Sequence, residues 1–172
     1  QEDVPFSLLL TDQSTRIDTA LANHYGVQHE GTTELATVDF STEDRFGGLL
    51  GHASLLTVHA LPSSSSPIHR GLLVREHFLC QELPPPPANL NTSPPEVDPD
   101  SSTRERYEQH SSDPACSGCH EQIDPIGFAF EHYDGIGRWR ELDGIHTIDA
   151  SGEILNTSET DGSFYGVQEL SE

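Results

Sequence analysis

The chain has 172 residues, 8 Lys+Arg against 29 Asp+Glu, a formal net charge of −21 and 33% hydrophobic residues. All eight cations are Arg, and Lys and Met are both absent. This balance excludes a nucleic-acid or anionic-membrane surface, because neutralising phosphates needs a cationic face. No apolar run approaches the roughly 18–20 residues of a transmembrane helix. The mean hydropathy of −0.50 fits about one domain with a modest core and long surface segments.

Ile17, Leu21 and His24 recur at helical spacing and predict an amphipathic helix over 11–26, closed by Gly26. Residues 27–46 are polar and Thr-rich and read as loop. Gly47-Gly48 opens an apolar run over 49–61, too short and mixed for periodicity to separate helix from strand. A Ser/Pro turn over 62–67 follows. Pro67 fits the first position of a helix running to about Cys80, with Leu72, Leu73, Phe78 and Leu79 as apolar contacts. Seven of the twelve prolines fall within 84–101, four of them consecutive, which predicts an extended polyproline linker. Ser102 and Glu105 form a capping box opening a helix that carries Tyr107 and His110 and stops before Pro114. An aromatic stretch with Phe128, Phe130, Tyr133 and Trp139 comes next, and 144–166 reads as a small hairpin. The expected fold class is mainly α with much irregular structure and a small β-hairpin. Its expected organisation is an N-terminal helical/loop region over 1–83, the linker over 84–101 and a C-terminal domain over 102–172.

Three cysteines are present, and two of them lie in Cys116-Ser117-Gly118-Cys119-His120. C-x-x-C-H is the attachment pattern of c-type haem. Two thiols at this spacing add across the two porphyrin vinyl groups, and the adjacent imidazole gives a nitrogen to iron. The competing readings are a redox dithiol and half of a zinc site. The first wants a βαβ context that does not precede the motif, and the second wants another close Cys/His pair. The expected cofactor is therefore one covalent haem c, surrounded by cytochrome-c-like helices. Such attachment takes place outside the cytoplasm, so the expected location is periplasmic, cell-surface or extracellular. No signal peptide is visible at Gln1, so the numbering is expected to begin after cleavage or inside a longer product. Cys80 reads either as a buried thiol ending an apolar helix or as one half of a disulfide to a cysteine outside this chain.

His120 is the expected proximal iron ligand, and Asp124, one helical turn on, can accept from its second ring nitrogen. A turn or cap role before Pro125 is the other reading of Asp124. Without Met or Lys, the ligand opposite His120 must be His, a weaker oxygen ligand such as Tyr, a group from another subunit, or an open position. His110, six residues before Cys116, is the first candidate; His52 and His59, in the apolar run, come next. His24, His29, His69, His77 and His146 read as surface or helix-face residues. Phe128, Phe130, Tyr133 and Trp139 are expected to wall the haem pocket. Arg138 and Arg140 are expected to grip the haem propionates, with exposed pairing to Glu131 or Glu141 as the alternative.

Several stretches resemble the C-terminal region of large haem-bearing proteins of planctomycetes and myxobacteria, which are assembled from several domains of unknown function. They are Leu21-Ala22-Asn23-His24-Tyr25-Gly26, Gly48-Leu49-Leu50, Ser66-Pro67-Ile68-His69-Arg70-Gly71, the prolines at 84–87, the block over 104–140 with C-S-G-C-H and I-D-P-I-G-F, and Ile148-Asp149-Ala150-Ser151-Gly152. The resemblance covers most of residues 5–170. It implies an exported c-type cytochrome module of a longer polypeptide, places that family's histidine before the first Cys on His110, and implies a cysteine beyond this chain as a partner for Cys80. The acidity and the missing Lys depart from the family pattern.

The leading functional expectation is a mono-haem electron carrier, a module or subunit of a larger assembly or filament, working with a redox partner that presents a basic face. The alternative is a five-coordinate, peroxidase-like haem enzyme or a gas-binding haem module.

Overall fold

Local sequence rules account for most of the element boundaries. The computed structural model describes residues 5–29, 33–41, 46–88 and 91–172. A single turn, α1 (Leu8–Thr11), leads to strand β1 (Ser14–Ile17) and helix α2 (Thr19–Tyr25). Asp18 caps α2 by accepting the Leu21 amide at 2.9 Å, and Gly26 ends it in the left-handed region at φ 67°. The helix is thus shorter than the expected 11–26. Ile17 belongs instead to β1, fully buried, and β1 pairs antiparallel with β2 (Ala36–Asp39), which lies in the stretch expected to be loop. Residues 30–32 and 42–45 of that stretch lie outside the described residues.

The ambiguous 49–61 run is helical: a 3₁₀ turn (Gly48–Gly51) followed by α3 (Ala53–Val58). Helix α4 (Pro67–Leu72) starts with Pro67 in its first turn and with the Ser66 side chain accepting the His69 amide at 3.3 Å. It continues as a π-helical segment, Leu73–Phe78. Cys80 beyond it is exposed and unbridged at φ 54°, so of its two readings the buried thiol ending an apolar helix does not hold. Helix α5 (Thr103–Ser111) carries both bonds of its capping box: Ser102 Oγ accepts the Glu105 amide at 3.2 Å, and Glu105 accepts the Ser102 amide at 2.8 Å. Helix α6 (Pro114–Phe128) begins at once, capped by Asp113, which accepts the Ala115 amide at 2.8 Å. Then come the short pair β3 (Leu142–Asp143) and β4 (His146–Thr147), the hairpin β5 (Ser151–Ile154) and β6 (Gly162–Tyr165), and helix α7 (Gly166–Ser171).

The core does not divide at the proline-rich stretch. One cluster joins Leu50, Leu56 and Val74 to Ile126, Ala129, Phe130, Tyr133, Phe164 and Val167, so the segments before 84 and after 101 share one interior. The segments over 1–83 and 102–172, read from the sequence as separate, thus contribute to a common cluster. A second cluster, Ile17, Tyr25, Phe40, Phe46 and Ala53, holds the N-terminal elements.

Helices α4 and α6 cross at glycines. A Cβ on Gly127 would meet the Pro67 carbonyl oxygen at 2.0 Å, and one on Gly71 would meet the Ile123 carbonyl oxygen at 2.3 Å. Arg70 of α4 is fully buried and donates to the carbonyls of Phe130 (3.1 Å), Tyr133 (2.8 Å), Leu56 (3.3 Å) and Asp134 (2.6 Å). Burial lowers its pKa to about 10, so it stays charged at neutral pH and ties α3, α4 and the 130–134 turn together.

Candidate functional site

Cys116, Cys119, His120 and Ile123 stand at i, i+3, i+4 and i+7 of α6, a spacing that puts four side chains on one helix face. All four line a single cleft of about 290 Å³. Across from them α4 and its π-helical continuation present Ile68, His69, Leu72 and Glu76, and α5 contributes Tyr107 and His110. The third wall is Leu83 with Pro84, Pro85 and Pro86, together with residues 91–95. Larger hollows of about 390, 450, 490 and 750 Å³ contain no cysteine, and the 490 Å³ one, beside Arg104 and Phe128, is also lined by His120 and Asp124.

Cys116 and Cys119 are half-buried free thiols, not a disulfide. His120 is half-buried, and its Nδ1 lies 3.0 and 3.1 Å from the two carboxylate oxygens of Asp124. A carboxylate only accepts, so Nδ1–H donates, and in the neutral ring Nε2 keeps its lone pair. The Asp124 hydrogen bond raises the His120 pKa, against burial, and the carboxylate charge adds to the rise. The buried side chain of Asp124 points back into its own helix and neither caps nor turns the chain before Pro125. The His110 ring lies 5.9 Å from the His120 ring, centroid to centroid, at 71°. This is an edge-to-face ring contact. Tyr107, between α5 and α4, is buried and hydrogen-bonded to Ser66; burial pushes its phenol pKa up.

Other expected site residues do not reach this cleft. His52 packs on Phe46 at 5.3 Å, and His59 follows the end of α3. Burial lowers the pKa of both. Phe130 and Tyr133 are core residues. Phe128 lies on another side of α6, with the Arg104 guanidinium 4.5 Å above its ring. Trp139 stacks on His132 at 4.6 Å and 6°, and its Nε1–H donates to Glu141 at 2.6 Å. Arg138 is exposed, away from the cleft. Arg140 pairs with Glu131 at 2.7 Å and with Asp143. The reason is electrostatic: Glu131 is buried, its pKa is raised by burial, and the nearest guanidinium is held there to compensate it. Among the described residues no Arg lines the Cys116–Cys119 cleft.

Sequence reasoning missed His69 and the proline wall. His69 and Leu72 share one face of α4 at i, i+3, a signal that was available. The return of the proline-rich stretch onto α6 is a long-range contact with no local signature.

A model of the family PSCyt3, described as a protein of unknown function (DUF1588), matches residues 46–143. The chain belongs to this family. The match takes in α3 through α6 and every residue that lines the cleft. The PSCyt3 name points to cytochrome-related proteins, while its description assigns no activity. No curated protein and no solved structure matches the chain.

Proposed function

We propose that this PSCyt3 chain is an exported haem c domain that transfers electrons. One observation carries the reading: both thiols and the imidazole of C-x-x-C-H face one apolar cleft, with the imidazole already held through Nδ1 by Asp124. The residues fit the group. Cys116 and Cys119 supply two free thiols on one helix face, His120 keeps Nε2 for iron, and Ile68, Leu72, Ile123 and Leu83 supply apolar walls. When bound, the haem supplies a one-electron couple whose potential follows its axial ligands and surroundings.

The chain's own residues do the rest. Asp124 fixes the His120 ring and its tautomer and strengthens it as a ligand. His110 is the distal ligand on this reading, favoured over His52 and His59 because it alone of the three lines the cleft. Bis-histidine ligation keeps the potential below that of His/Met cytochromes. The charge of −21 selects a partner with a basic face and makes association fall with ionic strength. Covalent attachment implies maturation outside the cytoplasm.

Absorption spectra of the purified haem-loaded protein, with and without carbon monoxide, test this. The expected result is a six-coordinate low-spin spectrum that carbon monoxide leaves unchanged, converted by His110→Ala to a high-spin, carbon monoxide-binding one. A wild-type spectrum that is already high-spin and binds carbon monoxide would sink the electron-carrier reading in favour of the five-coordinate enzyme or gas-binding module, which the Asp124–His120 pair would also serve. A low-spin spectrum unchanged in His110→Ala would remove His110 as the ligand.

A further inference from the structure

We infer that the proline-rich segment is a wall of the haem site and is held in place by the haem itself; this rests on the haem reading above. Residues 83–86 and 91–95 line the same cleft as Cys116, Cys119 and His120. Leu83 and Pro95 are partly buried there, and the other described residues of 83–97 are exposed. Among the described residues of 83–97, the hydrogen bond present is a local one, from the Ser93 amide to Asn91 Oδ1 at 3.0 Å. The flanking anchors are Gln81, whose side chain donates to the Asn156 carbonyl at 3.1 Å, and Asp98, whose carbonyl accepts from Arg106 at 3.3 Å.

Pro84, Pro85, Pro86 and Pro94 are exposed although they face the cleft. Apolar rings gain by leaving water, and here the available neighbour is whatever fills the cleft. A polyproline segment is suited to this role. It has no internal hydrogen bonds to break and little backbone entropy to lose on docking. The opposite walls belong to packed helices, fixed by the α4–α6 crossing at Gly71 and Gly127. The proline segment is therefore the part of the site whose docking depends on the ligand, and it shields the attached group from water.

Cleavage by a glutamate-specific protease tests this, because Glu82 and Glu96 bracket the segment and are exposed, whereas Glu131 is buried in the core. Fragments are followed by mass spectrometry in the haem-loaded wild type, in Cys116→Ala/Cys119→Ala, and in haem-loaded Pro84→Ser/Pro85→Ser/Pro86→Ser. Expected are slow cleavage after Glu82 and Glu96 in the wild type and at least tenfold faster cleavage there in both variants, with Glu131 still protected. The triple proline variant is also expected to keep its covalent haem and to show a shifted Soret band. Early cleavage after Glu131 in the cysteine variant would mean that it has unfolded, and the proline variant then decides. Equal cleavage in wild type and proline variant, with an unshifted Soret band, overturns the inference and leaves the haem reading standing. A wild-type chain that carries no haem overturns both.

Discussion

His120 shows how much one neighbouring residue decides. Its Nδ1 is taken by Asp124, so a single nitrogen is left to act outward. In the haem-loaded protein, Asp124→Asn keeps an acceptor but removes the charge. The expected result is a midpoint potential higher by about 60 mV, equivalent to the ~1.4 kcal/mol that separates a charge-assisted from a neutral hydrogen bond. Protein-film voltammetry reads this directly, and an unchanged potential would mean that Asp124 does not tune the ligand. His52 makes a different test. Burial lowers its pKa, so the unfolded chain binds a proton that the folded chain resists. Stability is therefore expected to fall as the pH drops below the ordinary histidine value of ~6.5, and His52→Gln should flatten part of that fall. Urea unfolding at two pH values on either side of it measures this. A wild type and a His52→Gln variant with the same pH slope would contradict it. The C-x-x-C-H spacing of the two thiols and the imidazole was legible in the sequence, whereas α6, the helix that turns it into one face, was not predicted. The stacking of Trp139 on His132 was not legible, because it forms only in three dimensions; the Arg140–Glu131 pair was legible as the alternative for Arg140, but not that Glu131 is buried.

At the scale of elements, the terminal signals were the most legible. Ser102 with Glu105, Pro67 after Ser66, and Gly26 each mark an observed boundary, since capping bonds span only a few residues. The β1–β2 pair was missed because Ile17 of β1 falls in phase with Leu21 and His24 of α2, and four-residue strands carry little periodicity of their own. Nor does any residue of Leu73–Phe78 announce a π-helix. The crossing of α4 and α6 gives the sharpest element-level expectation. Gly127→Ala pushes a methyl into the Pro67 carbonyl, where neither backbone can move away. The expected loss is about 2–3 kcal/mol, the upper range for overpacking, read as a lower urea midpoint with an unchanged slope. Gly118→Ala has open space around it and serves as the control: no loss is expected, and helix propensity favours it. Equal midpoints for the two variants would mean that the crossing is not close-packed.

For the whole molecule, charge and core set opposite demands. One shared interior, closed around Arg70 and its four carbonyl acceptors, must hold a chain that repels itself with a net −21. Raising ionic strength from ~0.01 to ~0.15 M shortens the screening length from ~30 to ~8 Å. An increase of several degrees in melting temperature is expected, and calorimetry at the two salts checks it. A melting temperature that falls with salt would mean that ion pairs such as Arg140–Glu131 outweigh the repulsion. The same acidity slows any like-charged partner and favours a basic one. The absence of Met and Lys leaves histidine and oxygen ligands to the iron on the proposed reading, and His110 lines the cleft in ring contact with His120. That reading depends on one covalent event. The chain is secreted from a host that attaches haem c, denatured and weighed intact. The expected mass is the polypeptide plus one haem, lost in Cys116→Ala/Cys119→Ala; an unmodified mass in the wild type would contradict it.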